Sequence, residues 1–273
     1  MKKTSLKTQA RFDLSQRVVL LTGAAGHLGH ALACGLAAAG AQVVLNGRNA
    51  APLKATAAAI RRDGGFAKVL AFDVTDAAAV AAALKKLTRQ FGRLDILINN
   101  AYAGRGGTLA LSTDADFESS YAICVVSAAR LIRQALPLLE AAGQHNPAGA
   151  SVINVASMYG VVSPDFRVYA TPEENNPPFY GAAKAALVQL SRYLACQLAP
   201  RHIRVNAISP GPFPAPKVQA EQPDFCARLA GKVPLGRIGA PDDLVGPVLF
   251  LASDAAAYVT GTNLIVDGGW TAW

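Results

Sequence analysis

Residues 17–29 read RVVLLTGAAGHLG, and this stretch decides the fold. The short apolar run Arg17–Leu21, with its β-branched residues, predicts a buried strand. The glycine-rich turn after it leads into His30–Ala37, whose sequence is typical of a helix. In a strand, turn and helix of this kind, glycines permit close backbone approach and the helix N-terminus presents N–H groups to a pyrophosphate. We therefore expect a dinucleotide phosphate cradle near the start of the chain.

The rest of the chain alternates strands and helices without a linker. Further strands are predicted at Gln42–Asn46, Ala67–Phe72, Leu94–Ile98, Ser151–Val155, Ile203–Ile208 and Asn263–Val266. Helices rich in alanine are predicted at 52–62, 77–91, 117–142, 180–199 and 241–252. The Pro-rich stretches at 171–179 and 210–216 are expected to be loops. This alternation requires a parallel sheet with helices on both faces, and we predict one doubly wound α/β domain over residues 1–273.

Composition favours a soluble, metal-free protein. The chain has 273 residues, 52% of them hydrophobic, but no apolar run approaches the roughly 18 residues of a membrane span. The basic segment Met1–Lys7 has no apolar stretch after it, so we expect no signal peptide. The four cysteines form no C-x-x-C pair and the four histidines show no metal-ligand spacing. We therefore expect a cytoplasmic protein with reduced thiols and no metal.

The formal net charge is +8, and the first seventeen residues hold Lys2, Lys3, Lys7, Arg11 and Arg17. A basic N-terminal tail, about residues 1–12, and a site for a polyanionic cofactor explain this charge. No basic stripe interleaved with aromatic residues occurs. We therefore expect a small-molecule substrate as partner, and neither nucleic acid nor membrane.

The motif Tyr180-Gly181-Ala182-Ala183-Lys184 opens a helical stretch, so Tyr180 and Lys184 share one helix face. A phenol has an ordinary pKa of about 10 and needs help to exchange a proton near neutral pH. A neighbouring ammonium lowers that pKa, and the hydroxyl of Ser157 can steady a carbonyl oxygen beside the phenol. We predict that Ser157, Tyr180 and Lys184 are the catalytic residues.

With the glycine-rich turn, these residues resemble the short-chain dehydrogenase/reductase family over about residues 13–273. The motifs that carry the resemblance are Thr22-Gly23 with Gly29, Asp73, Asn99-Asn100-Ala101, Ser157, Tyr180 with Lys184, Pro210-Gly211 and Asp267-Gly268-Gly269. The resemblance implies a Rossmann sheet of about seven strands and an NAD(P)-dependent oxidoreductase acting on CH–OH groups. It also implies a homo-oligomer, either a tetramer or a dimer.

The resemblance further implies which residues contact the cofactor. They are Thr22, Gly23, Gly26, His27, Leu28, Gly29, Arg48, Asp73, Val74, Asn100, Ala101, Tyr180, Lys184, Pro210 and Gly211. At the end of the second strand, Gly47 stands where an NAD-specific site offers a carboxylate, and Arg48 follows. Because an arginine fork suits a 2′-phosphate, we predict NADP(H) as the preferred cofactor, with NAD(H) possible.

Several positions depart from the family pattern. His27 replaces the middle glycine of the usual turn, and Tyr102 stands where a glycine is usual. Counting from Phe117, Cys124 falls where the family commonly carries a catalytic asparagine, and Ala215 replaces a threonine often found after Pro-Gly. If the count is right, the proton relay through that asparagine is missing or rebuilt.

The interval from Ser157 to Tyr180 is about ten residues longer than usual in the family, and the inserted segment, Ser163–Phe179, must begin and end beside the active site. Loops at this edge of such sheets carry specificity. We predict Tyr102, Tyr159 and Arg167 as substrate contacts, and a small polar or sugar-like substrate. The alternative for Arg167 is an ion pair with Asp165 or Glu174 inside the segment. The segment from Met158 to Arg167 is similar to a subgroup of surface-sugar-modifying and gluconate dehydrogenases. A 3-oxoacyl thioester reductase and a non-catalytic dinucleotide sensor stand as alternatives.

Overall fold

A computed structural model describes residues 8–273 of the chain. Lys2, Lys3 and Lys7 of the predicted basic tail lie outside the described residues. Its remaining cation, Arg11, belongs to a short 3₁₀ helix, Thr8–Phe12, which precedes the first strand.

The core of the protein is a parallel sheet in the order β3-β2-β1-β4-β5-β6-β7. The strands are β1 (Val18–Leu21), β2 (Gln42–Gly47), β3 (Phe66–Ala71), β4 (Ile96–Asn99), β5 (Ala150–Val155), β6 (Ile203–Pro210) and β7 (Asn263–Val266). All seven predicted strands are present, with ends that differ by at most two residues. The prediction of a doubly wound Rossmann sheet is confirmed.

The described chain contains nine α-helices. They are α1 (His27–Ala38), α2 (Ala50–Arg62), α3 (Ala77–Phe91), α4 (Asp114–Tyr121), α5 (Ser127–His145), α6 (Pro178–Leu198), α7 (Pro216–Glu221), α8 (Pro223–Ala230) and α9 (Val245–Ala252). The sequence did not predict α7 and α8. Both are short and begin with proline, which is compatible with the first turn of a helix but also marks a loop.

Two apolar layers cover the two faces of the sheet because alternate strand residues point to opposite sides. On one face Leu21 and Val43 pack with helices α1, α2 and α9. On the other, Leu20 and Val44 pack with helices α3, α5 and α6. Burial on both faces explains why the central strands are almost continuously hydrophobic.

The predicted helix 117–142 is one continuous helical stretch, Asp114–His145, with a π-helical segment at Ala122–Val126 between α4 and α5. A π segment inserts a residue into the helical ladder and often marks a functional site. This stretch is long and apolar enough to cross a membrane by length and composition alone. Half of its most apolar part is buried inside the protein, and a helix in a protein core passes the same test.

The order of the strands determines where a ligand can bind. Strand β1 pairs with β2 on one side and with β4 on the other, so successive connections leave it in opposite directions. In open sheets of this kind, ligands bind in the crevice at the carboxyl ends of the strands beside such a switch point. The loops after β1, β2, β4, β5 and β6 meet at this edge.

Candidate active site

Ser157, Tyr180 and Lys184 are brought together at the carboxyl end of β5. Ser157 follows this strand, is 5% exposed, and accepts a hydrogen bond of 3.1 Å from the main-chain N–H of Tyr159. Tyr180 and Lys184 lie one turn apart at the start of α6. The Nζ atom of Lys184 donates a hydrogen bond of 2.7 Å to the carbonyl oxygen of Val155. The predicted constellation therefore forms one cluster.

Burial dominates the electrostatics of this cluster. It raises the pKa of the Tyr180 phenol, and hydrogen bonding to the Ser157 hydroxyl opposes the rise. Lys184 is 4% exposed, and burial lowers the pKa of its ammonium. The sequence predicted a phenol whose pKa is lowered by Lys184. The net direction in the structure is upward, because desolvation of the phenolate is the larger effect.

The glycine-rich turn forms a cradle between β1 and α1. Gly23 has φ of +65°, in the left-handed region that favours glycine. A Cβ atom built on Gly29 would overlap the carbonyl oxygen of Gly23, so a glycine is required for the helix to approach the turn. Gly26 caps the N-terminus of α1, which is twelve residues long. These features fit the binding of a dinucleotide pyrophosphate.

Asn100 and Ala101 hold this turn in place. The side chain of Asn100 donates hydrogen bonds of 3.0 and 3.2 Å to the carbonyl oxygens of Thr22 and Gly23. The hydroxyl of Thr22, which is 1% exposed, accepts from the main-chain N–H groups of Asn100 and Ala101 at 2.9 and 3.0 Å. Thr22, Asn100 and Ala101 thus connect the loop after β4 to the glycine-rich turn.

A groove of about 370 Å³ opens over the cradle and is lined by Gly26, His27, Leu28, Arg48 and Asn49, among others. His27 stands in the first turn of α1, its Nε2 atom is buried without a hydrogen-bond partner, and burial lowers the pKa of its ring. An orphaned nitrogen beside a phosphate cradle fits a site that receives a hydrogen-bonding ligand.

A second groove, of about 450 Å³, continues from Arg48 past Asp73 and Val74. The carboxylate of Asp73 accepts hydrogen bonds from the main-chain N–H and hydroxyl of Thr75, at 2.8 and 2.7 Å. These bonds lower the pKa of Asp73, and the charge of Arg48 adds to the effect. Asp73 therefore also organises its own turn, as a bare turn residue would.

A third cleft, of about 360 Å³, contains the hydroxyls of Ser157 and Tyr180 in its wall. Tyr102 and Tyr159 line it as predicted, and the hydroxyl of Tyr159 lies 3.2 Å from that of Tyr169. Gly211 also lines this cleft, whereas Pro210 is the last residue of β6 and is buried. Tyr102 borders all three spaces, so it marks where they meet.

Arg167 was predicted to contact the substrate, but the structure does not place it in the lining of the cleft. Its side chain is 82% exposed, and its guanidinium donates two hydrogen bonds of 2.8 Å to the carboxylate of Asp165. Asp165 also pairs with Lys232, and Arg228 donates a hydrogen bond of 2.7 Å to the carbonyl oxygen of Val168. The inserted segment is therefore tied to the end of α8, with Arg167 pointing away from the cleft.

Some of the cleft wall was not predicted. Phe213 follows β6, while Phe225 and Leu229 come from α8. Because α8 was not predicted, no periodicity in the sequence linked its apolar side chains to a site. Among residues 8–273, no group of three or more His, Cys, Asp or Glu side chains could hold a metal ion.

Cys124 lies in the π-helical segment, is 3% exposed, and packs in a buried cluster with Tyr102 and Ala183. Burial raises the pKa of its thiol, and the charge of Lys184 lowers it. Two departures from the family pattern, Tyr102 and Cys124, thus occur in one cluster beside Lys184.

Comparisons with known proteins agree with this geometry. A family model described as enoyl-(acyl carrier protein) reductase matches residues 23–271. The rhamnolipid-biosynthesis 3-oxoacyl-[acyl-carrier-protein] reductase of Pseudomonas aeruginosa is 35% identical over 95% of this chain and 98% of its own. The D-threitol dehydrogenase of Mycolicibacterium smegmatis is 34% identical over 95% of each chain.

Among solved structures, a gluconate 5-dehydrogenase from Burkholderia cenocepacia, in complex with NADP and tartrate, is similar to this chain. It is 30% identical, with a TM-score of 0.85 over 98% of this chain and 100% of its own. The chain therefore belongs to the short-chain dehydrogenase/reductase family and is an NAD(P)-dependent oxidoreductase of CH–OH groups.

Proposed function

We propose that the protein interconverts a secondary alcohol and a ketone of a small polar or sugar-like substrate, with NADP(H) as its cofactor. The observation that carries this proposal is the convergence of the Ser157 and Tyr180 hydroxyls in the wall of one cleft, with Lys184 buried behind them. When bound, the cofactor supplies or accepts the hydride.

The side chains of the cluster handle the proton. In the direction of reduction, Tyr180 donates its proton to the substrate oxygen, and Ser157 donates a hydrogen bond to the same oxygen. The raised pKa of Tyr180 keeps the phenol protonated near neutral pH, as a proton donor must be. The ammonium of Lys184 stabilises the phenolate left after transfer.

For the cofactor, we propose that the cradle at 22–29 and the N-terminus of α1 hold the pyrophosphate. Arg48 borders both the phosphate groove and the groove that reaches Asp73 and Val74, which suits recognition of a 2′-phosphate. The NADP complex of the Burkholderia relative supports NADP(H) as the cofactor. NAD(H) is the alternative cofactor, and comparing the dissociation constants of NADPH and NADH distinguishes between the two.

For the substrate, we propose a polyol or a related sugar-derived compound. The cleft is lined by Tyr159, Tyr169, Glu174, Asn175 and Asn176, whose side chains carry hydroxyl, carboxylate and amide groups. These groups can exchange hydrogen bonds with several substrate hydroxyls. The activities named for the D-threitol and gluconate 5-dehydrogenase relatives are consistent with such a substrate.

One observation favours a second candidate, a 3-oxoacyl thioester reductase. A groove of about 680 Å³, lined by Leu109, Val161 and Phe166, adjoins the cleft, and Tyr159 and Asn176 line both. Such an apolar channel could hold an acyl chain, and the Pseudomonas relative is named for a 3-oxoacyl substrate. The polar side chains that line the cleft together with Tyr180 make the polyol the first choice.

The test is an NADPH-oxidation assay on the purified chain with three substrates: a four-carbon ketose, a keto sugar acid and a 3-oxoacyl thioester. If the ketose or the keto sugar acid has the highest kcat/KM of the three substrates, the proposal is supported. If the thioester has the highest kcat/KM, the second candidate function takes the place of the first. NADPH binding without turnover of any ketone, keto acid or thioester contradicts both.

We further propose that the enzyme works in the cytoplasm as a dimer or tetramer.

A further inference from the structure

We propose that Tyr102 is a positioning residue of the active site. Its ring stabilises the charge of the Lys184 ammonium and orients Tyr180. This contact takes the place of a strong hydrogen-bonding group, which the neighbouring Cys124 does not provide. The proposal rests on the proposed function for the roles of Tyr180 and Lys184. It assigns to this chain its own way of building the proton-transfer site.

The ring of Tyr102 lies close to both Tyr180 and Lys184. It meets the ring of Tyr180 edge to face, with the centroids 4.9 Å apart and the planes at 66°. The Nζ atom of Lys184 lies 5.3 Å from its centroid. The Tyr102 hydroxyl is 3.4 Å from the Ser120 Oγ atom, and a Cβ atom on Gly104 would overlap that hydroxyl. Both contacts restrict the position of the ring.

Lys184 lies where such a ring can stabilise its charge. Its ammonium is buried and donates a hydrogen bond to the carbonyl oxygen of Val155. A buried charge is costly unless it is compensated. The faces of Tyr102 and Tyr180, at 5.3 and 5.6 Å from Nζ, are within the range of a cation–π attraction.

Cys124 explains why the ring is required here. It lies in the π-helical segment and packs in one cluster with Tyr102 and Ala183, and a thiol is only a weak hydrogen-bond donor and acceptor. The titratable groups that face Lys184 are Cys124, Tyr102 and Tyr180, and none of them is a carboxylate. We infer that Tyr102 compensates for the weak hydrogen bonding of Cys124. The aromatic face of Tyr102 stabilises Lys184 in place of a polar side chain at position 124.

The direct test follows the ¹³Cε shift of Lys184 with pH in the full-length chain, assigned with Lys184→Arg. Tyr102→Leu removes the aromatic face but keeps an apolar side chain, whereas Tyr102→Phe keeps the ring and loses the hydroxyl. We expect Tyr102→Leu to lower the titration midpoint of Lys184 by roughly 0.5 to 1.5 pH units, and Tyr102→Phe to leave it in place. Equal midpoints in Leu, Phe and wild-type proteins overturn the proposal.

A kinetic exchange tests the compensation. We expect Tyr102→Gly to lower kcat roughly tenfold, since losing stabilisation of the charged Lys184 and Tyr180 pair equivalent to one pKa unit corresponds to that factor. Adding Cys124→Asn should restore part of the loss, whereas Cys124→Asn alone should not raise kcat. Equal impairment of Tyr102→Gly with and without Cys124→Asn contradicts the compensation. If no carbonyl is turned over, the proposed function fails, but the Lys184 titration still decides the role of Tyr102.

Discussion

Lys184 joins helix α6 to the end of strand β5 through a hydrogen bond of 2.7 Å from Nζ to the carbonyl oxygen of Val155. Ser157 lies two residues beyond that carbonyl, and Tyr180 lies one turn before the lysine. One buried contact therefore fixes the distance between the hydroxyl that follows the sheet and the phenol on the helix.

The phenol of Tyr180 is expected to carry the proton. Tyr180→Phe should lower kcat by about 10²- to 10⁴-fold, the usual loss for a general acid, while the NADPH dissociation constant stays within about threefold. Steady-state kinetics and fluorescence titration measure the two quantities. A Phe variant with near wild-type turnover eliminates Tyr180 as the donor.

The pH dependence should follow the raised pKa of Tyr180. Burial disfavours the phenolate, so in the free protein Tyr180 should ionise above the ordinary value of about 10. Reduction uses the protonated phenol and should hold its rate into the alkaline range, whereas oxidation needs the phenolate and should accelerate there. The ultraviolet difference titration between wild type and Tyr180→Phe gives the ionisation directly. A Tyr180 midpoint below about 9 would refute the expected direction.

Arg48 should discriminate between the two cofactors. Arg48→Ala is expected to weaken NADPH by roughly ten- to a hundredfold and NADH much less, because only NADPH carries a 2′-phosphate. Arg62, on α2 and 75% exposed in its side chain, gives a matched control, and Arg62→Ala should affect neither. Equal weakening of NADPH and NADH by Arg48→Ala would show that the residue contacts something the cofactors share.

The cradle should tolerate no side chain at Gly29. A methyl group there overlaps the carbonyl oxygen of Gly23, so Gly29→Ala should displace the turn and weaken NADPH at least tenfold, with a lower Tm. At Gly246, in α9, a methyl group would meet no atom within 4 Å, and Gly246→Ala should keep affinity and maintain or raise Tm. Wild-type affinity in Gly29→Ala would mean that the turn does not hold the pyrophosphate.

The inserted segment should depend on Asp165 rather than on Arg167. Arg167→Ala is expected to leave substrate KM within about twofold, since its guanidinium is exposed and Asp165 keeps Lys232 as a partner. Asp165→Ala removes the acceptor for both cations and for the Arg167 main-chain N–H, so it should raise KM and make the segment more sensitive to limited proteolysis. The reverse order of effects would return Arg167 to the substrate wall.

Much of the fold follows from local sequence. Strands such as β1 and β5 are buried runs bounded by turns, and helices such as α3 carry alanine-rich amphipathic patterns, so short-range periodicity is sufficient. The helices α7 and α8 escaped prediction because they are six and eight residues long and are rich in proline at their starts. The π-helical segment has no sequence signal at all, since it depends on how α4 and α5 pack.

The sequence predicted the site residues that belong to motifs, but not the properties of the site that depend on tertiary packing. Motif spacing brought Ser157, Tyr180 and Lys184 to one place, because residues after one strand and at the start of the next helix meet at one sheet edge. The direction of the pKa shift of Tyr180 needed the burial of the phenol, which spacing cannot give. Arg167 was misplaced because a charged residue in a substrate loop can equally pair with a carboxylate two positions away, as it does with Asp165.

The ties between the inserted segment and the end of α8 bear on how this enzyme could be redesigned. The pairs Asp165–Lys232 and Val168–Arg228 join two stretches that are distant along the chain, and Tyr169 stacks on Phe225 with centroids 5.4 Å apart. A chimera that imports the segment from a relative without its matching helix breaks these joins. To change the substrate specificity of this enzyme, the inserted segment and α8 should therefore be exchanged together. We also expect the two segments to co-evolve.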